Sequence, residues 1–243
     1  MDQEALSVLC DPDTRYPLEF DDRHLRNTAT GRIFPIRDGI PLFVSTIAGP
    51  SLIGHMLYDR LAFAYDFAQG LRRWLTFSPD FRAELVKALG IEPGQRVLEV
   101  SVGTGASLPY LPRDIRFFGL DLSWGMLRQC QRNARRWQRQ AHLYQGEAER
   151  LPFQGEMFDT VFHMCGINAF TYKARAIKEM IWVARPGARI VMIDRARSGS
   201  RPAAGEAGSV SGTLADLVPA EMQETRVSSL ADGRFFCLSF RKP

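Results

Sequence analysis

The stretch RVLEVSVGTGASLPYLP, residues 96–112, decides how this chain is read. An apolar run with an acid at its centre, Val97-Leu98-Glu99-Val100, enters the turn Gly103-Thr104-Gly105, and a helix-like segment follows. A strand that runs into a glycine turn is how a parallel α/β sheet brings backbone N–H groups up to a nucleotide. Ser101 stands where the first glycine of such loops is usually found. Ser101-x-Gly103-x-x-Ala106 can be laid on the dinucleotide fingerprint, with Asp121 near the expected separation of about 20 residues. One glycine pattern does not choose the nucleotide, so the choice falls to the acids around it.

Glu99 lies inside a strand that should be apolar on both faces. A buried carboxylate needs a partner, and a ligand ammonium group would serve. Asp121 ends the second strand in GLDLS (119–123), where two carboxylate oxygens can accept from a ribose diol. Glu147 follows the third strand in QGEAERLPF (145–153), placed to accept from an exocyclic amine. Amino-acid head, ribose and adenine call for three acids at three consecutive strand ends. That set matches S-adenosylmethionine.

Outward from this loop, 243 residues at 45% hydrophobic can bury one good-sized core with a small appendage. The charged fraction of 24% argues against a disordered chain, and the net charge of +4 permits an acidic or phosphate-bearing partner without requiring one. No apolar run reaches the length of a membrane span, and MDQEALSVLC carries acids where a signal peptide carries Lys or Arg. Cys10, Cys130, Cys165 and Cys237 form no C-x-x-C pair and read as structural thiols in a reducing, cytoplasmic setting.

Three parts are expected along the chain. Residues 1–45 are short, turn-rich and β-rich, ending in GRIFPIRDGIPLFV; residues 46–78 carry aromatics at helical spacing and read as a helical lid; residues 79–243 form the main domain. There RVLEVSV, IRFFGLDL, AHLYQGEA, FDTVFHM and RIVMIDRA are strand candidates. FRAELVKAL, WGMLRQCQRNARRWQ and ARAIKEMIWVA are helix candidates between them. This alternation predicts an α/β fold, a mostly parallel sheet with helices on both faces. SGSRPAAGEAGSVSG (198–212) reads as a loop, and the tail reads as an antiparallel hairpin about Asp232-Gly233.

These features resemble class I S-adenosylmethionine methyltransferases, and within them the ubiquinone and menaquinone biosynthesis branch (the UbiE type, methyltransferase type 11). That branch's acid-x-Gly-x-Gly-x-Gly loop is matched by Glu99, Ser101, Gly103 and Gly105, and its strand-two acid by Asp121. Its GDAxxLPFxxxxFD stretch is matched by GEAERLPFQGEMFD, with Glu147 for the aspartate. YDRLAFAYD resembles its aromatic approach helix, and VARPGARIVMID its turn into the fifth strand. The resemblance implies a Rossmann-like, seven-stranded sheet. It also implies a cofactor site of Glu99, Ser101, Gly103, Thr104, Gly105, Asp121, Leu122, Met126, Gly146, Glu147, Ala148 and His163; the aromatic content of residues 51–77 predicts that Tyr58 or Tyr65 closes over it. Ser101 has a Cβ, so it fits only with a negative φ or where the ligand leaves room.

The first 45 residues resemble a small zinc-knuckle domain seen before some methyltransferase cores. Gly31, Arg32, Phe34, Pro35, Asp38, Gly39 and Pro41 keep its scaffold. Of the four ligand places only Cys10 keeps a cysteine; Asp13, Asn27 and Thr30 fill the others. One thiolate, one carboxylate and two neutral side chains make a poor tetrahedral zinc site, so a metal-free segment is expected, packing as substrate wall or homodimer surface.

Methyl transfer from a sulfonium is an in-line displacement that needs alignment and, for a hydroxyl or amine acceptor, a base. The fourth strand ends in FHMCGINAFTYKAR, where His163 is the titratable candidate for catalysis, and also the candidate for a plain backbone hydrogen bond. Asn168, Phe170 and Tyr172 follow it as candidate substrate contacts. No N/D-P-P-Y/F motif or Pro-Cys pair points to DNA bases. The arginines of RQCQRNARRWQRQ fall mostly on one face of a helix, opposite an apolar face, the pattern of a solvated helix. A small, apolar or quinone-like methyl acceptor is therefore expected. An rRNA or tRNA methyltransferase is the alternative, as is a cofactor-binding protein that performs other chemistry.

Overall fold

The computed structural model describes residues 3–44, 79–167, 170–196 and 214–243. The expected lid with Tyr58 and Tyr65, the 198–212 loop and Asn168 lie outside the described residues.

The main sheet has seven strands in the order β10-β11-β9-β8-β5-β6-β7. β5 (Arg96–Val100), β6 (Arg116–Asp121), β7 (His142–Gln145), β8 (Phe158–Met164) and β9 (Ala184–Arg195) run parallel. β10 (Gln223–Leu230) and β11 (Phe235–Arg241) add the antiparallel hairpin, its turn carried by Ala231, Asp232 and Gly233 at positive φ. The chain enters at β5, steps outward through β6 and β7, then returns to the other side of β5 for β8 and β9. The reversal between β5 and β8 is a topological switch point, where open α/β sheets leave a crevice for ligands beyond the strand ends.

Both faces of the sheet are covered, which explains the continuous apolar runs. Leu98, Val100, Phe118, Leu120, Val161 and Met192 point to one face, which also holds residues of the N-terminal segment and α4 (Lys173–Val183). Val97, Phe117, Leu143, Phe162 and Val191 point to the other, against α2 (Pro79–Lys87) and α3 (Trp124–Arg136). α3 is capped by the Ser123 side chain, which accepts from Met126 N, and it buries Leu127, Cys130 and Ala134 along one stripe. Arg128, Arg132, Arg135 and Arg136 are exposed on the opposite face, as their spacing predicted.

One element differs from expectation. The segment after the glycine turn is a single 3₁₀ turn, Leu108–Tyr110. Pro112 has no N–H to extend it and holds Leu111 in an extended conformation at φ −79, ψ 151.

The N-terminal segment folds as α1 (Gln3–Ser7) and an antiparallel sheet of β1 (Leu18–Phe20), β2 (His24–Asn27), β3 (Ile33–Arg37) and β4 (Ile40–Pro41). Buried hydrogen bonds tie its turns together at the expected ligand places. Asn27 Nδ2 donates to Asp11 Oδ2 at 2.7 Å and to Thr14 Oγ1 at 2.8 Å, while Asn27 Oδ1 accepts from the backbone N–H of Ala29 and Thr30. Asp13 instead pairs with Arg32 and Arg150, and burial pushes the Cys10 thiol up to about 11. After β4, Leu42 bridges Gln145 in parallel and Phe43 N donates to Gln145 O at 2.8 Å, covering the β7 edge. Among the described residues no helix is long and apolar enough to cross a membrane.

Candidate functional site

The glycine loop begins at Ser101, which takes φ +62, the left-handed region that glycine normally fills. Of the two conditions named for Ser101, the negative φ is not met. The loop geometry requires this turn, and the serine adopts it at a cost of about 1–2 kcal/mol. Gly103 and Gly105 follow at φ +55 and +71. A Cβ on Gly105 would lie 2.6 Å from Cys130 Sγ, so α3 packs directly under a glycine.

Two acids meet at this loop. Asp121, at the end of β6, accepts from Gly103 N through Oδ2 and from Ser123 N through Oδ1, both at 2.8 Å. One side chain thus joins the glycine loop to the start of α3, and each oxygen keeps a lone pair for a diol. Glu99 accepts from Ser107 Oγ at 2.5 Å inside the sheet face that α3 covers. Burial pushes the Glu99 carboxyl up to about 8, with Asp121 adding to the rise against the Ser107 hydrogen bond. Burial also lifts Asp121 to about 6, against its backbone hydrogen bonds. Among the described residues no cation faces that carboxyl, and a ligand ammonium would supply one. Thr104 Oγ1 is buried without a partner among the described residues, while its carbonyl accepts from Asn133 Nδ2 at 3.0 Å. The residues present fit the head and ribose of S-adenosylmethionine.

Where β7 ends, Gly146 N donates to Asp121 O, and Leu122 O accepts from Gln145 Nε2. Ala148 is buried, and Met126 is half-buried in the first turn of α3. Glu147 stands beyond β7, and its Oε2 accepts from Arg150 Nε at 3.2 Å. Pairing with Arg150 was not foreseen.

His163 is fully buried on β8. Its Nδ1 lies 2.9 Å from Val100 O, an atom that only accepts, so Nδ1 carries the proton and Nε2 presents a lone pair. Nε2 has no partner. Burial lowers the His163 pKa, against the charge of Asp194 and the bond to Val100, and the ring is therefore neutral. Phe170 packs on the imidazole with centroids 4.9 Å apart, whereas Tyr172 is 65% exposed at the start of α4. The structure brings Phe170 to His163 and leaves Tyr172 largely in solvent.

Two supporting residues escaped the sequence reading. Ser107 is the neutral partner of Glu99. Asp194, buried at the end of β9, accepts from Gly166 N and Ile167 N at 3.1 and 2.9 Å and so fixes the turn beyond His163. Its signal was available, since RIVMID repeats the acid-in-an-apolar-strand pattern of RVLEV.

Residues 97–187 match the family model described as a methyltransferase domain. A demethylmenaquinone methyltransferase of Renibacterium salmoninarum is 32% identical over 145 residues, which are 57% of this chain and 56% of that protein. A phthiotriol/phenolphthiotriol dimycocerosates methyltransferase of Mycobacterium ulcerans is 36% identical over 104 residues, 42% of this chain and 38% of that protein. The match therefore spans little more than half the length of these curated relatives at most. A S-adenosylmethionine-dependent methyltransferase structure from Thermotoga maritima superposes with a TM-score of 0.57 at 18% identity, over 75% of this chain and 99% of that one. Over residues 97–187 the chain is therefore similar to the methyltransferase domain family, and its sheet has the Rossmann-like class I S-adenosylmethionine methyltransferase fold.

Proposed function

We propose that this protein is a S-adenosylmethionine-dependent methyltransferase acting on a small, apolar or quinone-like acceptor. One observation carries the cofactor: Glu99 and Asp121 are buried acids on adjacent parallel strands, both held well above their ordinary values beside a glycine loop. The acceptor class is supported by relatives named for menaquinone and for dimycocerosate substrates.

Bound S-adenosylmethionine would supply an electrophilic methyl group. Glu99 would hold its ammonium, Asp121 its ribose diol and Glu147 its adenine amine. Ser101, Gly103, Thr104 and Gly105 would give the backbone its close approach, while Leu122, Met126, Gly146 and Ala148 would flank the adenosine. His163 Nε2 would accept the proton of an acceptor hydroxyl, because its lone pair has no partner among the described residues and its ring is neutral. Phe170 would form the apolar wall over it. None of the four cysteines is in a disulfide, which supports a reducing, cytoplasmic setting.

The test is label transfer from isotopically labelled S-adenosylmethionine to demethylated isoprenoid quinols and phenolic lipids, with total RNA run in parallel. Label in the quinol or lipid fraction is expected. Label in RNA alone would replace this reading with the nucleic-acid one, and cofactor binding without transfer to any acceptor would favour other chemistry.

A further inference from the structure

The segment that carries Glu147 is gripped at both ends by the first 45 residues. Before it, Phe43 N donates to Gln145 O at 2.8 Å. After it, residues 8–10 run antiparallel to residues 152–154: Cys10 N donates to Pro152 O, and Gln154 N to Val8 O. Arg15 adds a bond from Nη1 to Leu151 O at 2.8 Å and an ion pair to Glu179, whose second oxygen accepts from Leu151 N. Only the short run 146–150 is left between the two grips.

Inside that run the charges alternate. Arg150 Nε donates to Glu147 Oε2 at 3.2 Å, and Arg150 Nη1 donates to Asp13 Oδ1 at 2.7 Å. The other oxygen of Asp13 pairs with Arg32 on β3's approach. Burial raises the Asp13 carboxyl, but hydrogen bonds and charge from Arg32 and Arg150 more than offset this and hold it below its ordinary value, so it stays ionised.

We propose that the N-terminal module is the adenine-side wall of the cofactor pocket, with Asp13 as a positioning residue that acts on Glu147 through Arg150. The inference rests on the cofactor reading above. Its physical basis is the division of one guanidinium between two carboxylates. A free Arg150 could chelate Glu147 bidentately, occupying both oxygens in the fork geometry that arginine favours. With Nη1 held by Asp13, Arg150 gives Glu147 the single bond from Nε, and the carboxylate keeps an oxygen for an exocyclic amine. An isolated surface pair would do little, but four alternating charges spanning two modules fix one rotamer of Arg150. Asp13 occupies one of the four places where the resembling domain carries a metal ligand, and here that place is turned toward the methyltransferase core.

Calorimetry on the full chain tests this with S-adenosylhomocysteine and its deaminated analogue S-inosylhomocysteine, which carries a carbonyl in place of the amine. The wild type should prefer the adenosyl ligand by about tenfold, a bond's worth of discrimination. Asp13→Asn keeps the shape and removes the charge; it should weaken the adenosyl ligand about fivefold and leave the inosyl ligand unchanged. Asp13→Glu should restore the preference. Wild-type discrimination in Asp13→Asn, or an equal loss for both ligands, would overturn the positioning role. A wild type that binds neither ligand would overturn the cofactor reading itself, and a wild type that binds both equally would overturn the adenine role of Glu147.

Discussion

Glu99→Gln should remove a proton linkage from cofactor binding. Burial moves this carboxyl from an ordinary 4.5 to about 8, a preference for the protonated form on the order of 4–5 kcal/mol. A ligand ammonium needs the ionised form, so binding to the wild type must release that proton. Below a pKa of about 8 the affinity should then rise roughly tenfold per pH unit and level off above it. The stability of the unliganded protein runs the other way. Its folded state holds the proton more tightly than the unfolded chain, so stability falls as pH rises from 4.5 to about 8. Glutamine keeps the hydrogen bond to Ser107 and cannot ionise, so the variant should lose both slopes. Near pH 9 it should be more stable than the wild type and bind S-adenosylhomocysteine more weakly. Asp121 titrates lower, at about 6, so a window of roughly pH 6.5–8.5 isolates Glu99. Calorimetry in two buffers of different ionisation enthalpy reads the proton directly, close to one released per site near pH 7 for the wild type and none for Glu99→Gln. A flat wild-type affinity across that window, or an unchanged slope in the variant, would refute the argument.

Ser101→Gly relieves a left-handed residue at φ +62 and should stabilise the protein by about 1 kcal/mol, a rise of a few degrees in Tm by scanning calorimetry. An unchanged or lower Tm would show that the serine hydroxyl itself holds the turn. Gly105→Ala places a Cβ 2.6 Å from Cys130 Sγ at φ +71 and should cost at least about 2 kcal/mol. Cys130→Ala added to it should recover part of that loss in denaturant unfolding, and strict additivity would refute the contact. Asp121→Asn keeps an acceptor for Gly103 N and loses the charge, so S-adenosylhomocysteine should bind at least about tenfold more weakly. Wild-type affinity in that variant would remove the ribose assignment.

What the sequence disclosed, and what it withheld, follow from one physical distinction. A parallel strand covered on both faces must be apolar, so Glu99 inside RVLEV and Asp121 at the end of RFFGLD stand out as violations, and both sit at the site. The same rule applied to RIVMID would have found Asp194, whose carboxylate holds the turn after His163. Local punctuation was legible too: Asp232-Gly233 makes the hairpin turn. For Ser101 the residue type left two conditions open, and the loop, closed on Asp121 through Gly103 N, takes the left-handed conformation rather than a negative φ. The helix after the loop failed because Pro109 and Pro112 outweigh the apolar spacing around them.

Contacts between distant segments leave no such mark. Arg150 sits in ERLPF like any surface arginine, and its two partners, three residues and 137 residues away in sequence, share no periodicity that a single chain reveals. The N-terminal module looks like an appendage in sequence because its composition shifts at residue 45. In space its backbone bonds to residues 145, 152 and 154 hold the chain on both sides of Glu147. A substitution in the first 45 residues should therefore be judged by what it does to the loop at Glu147, even when it lies far in sequence from every motif of the methyltransferase core.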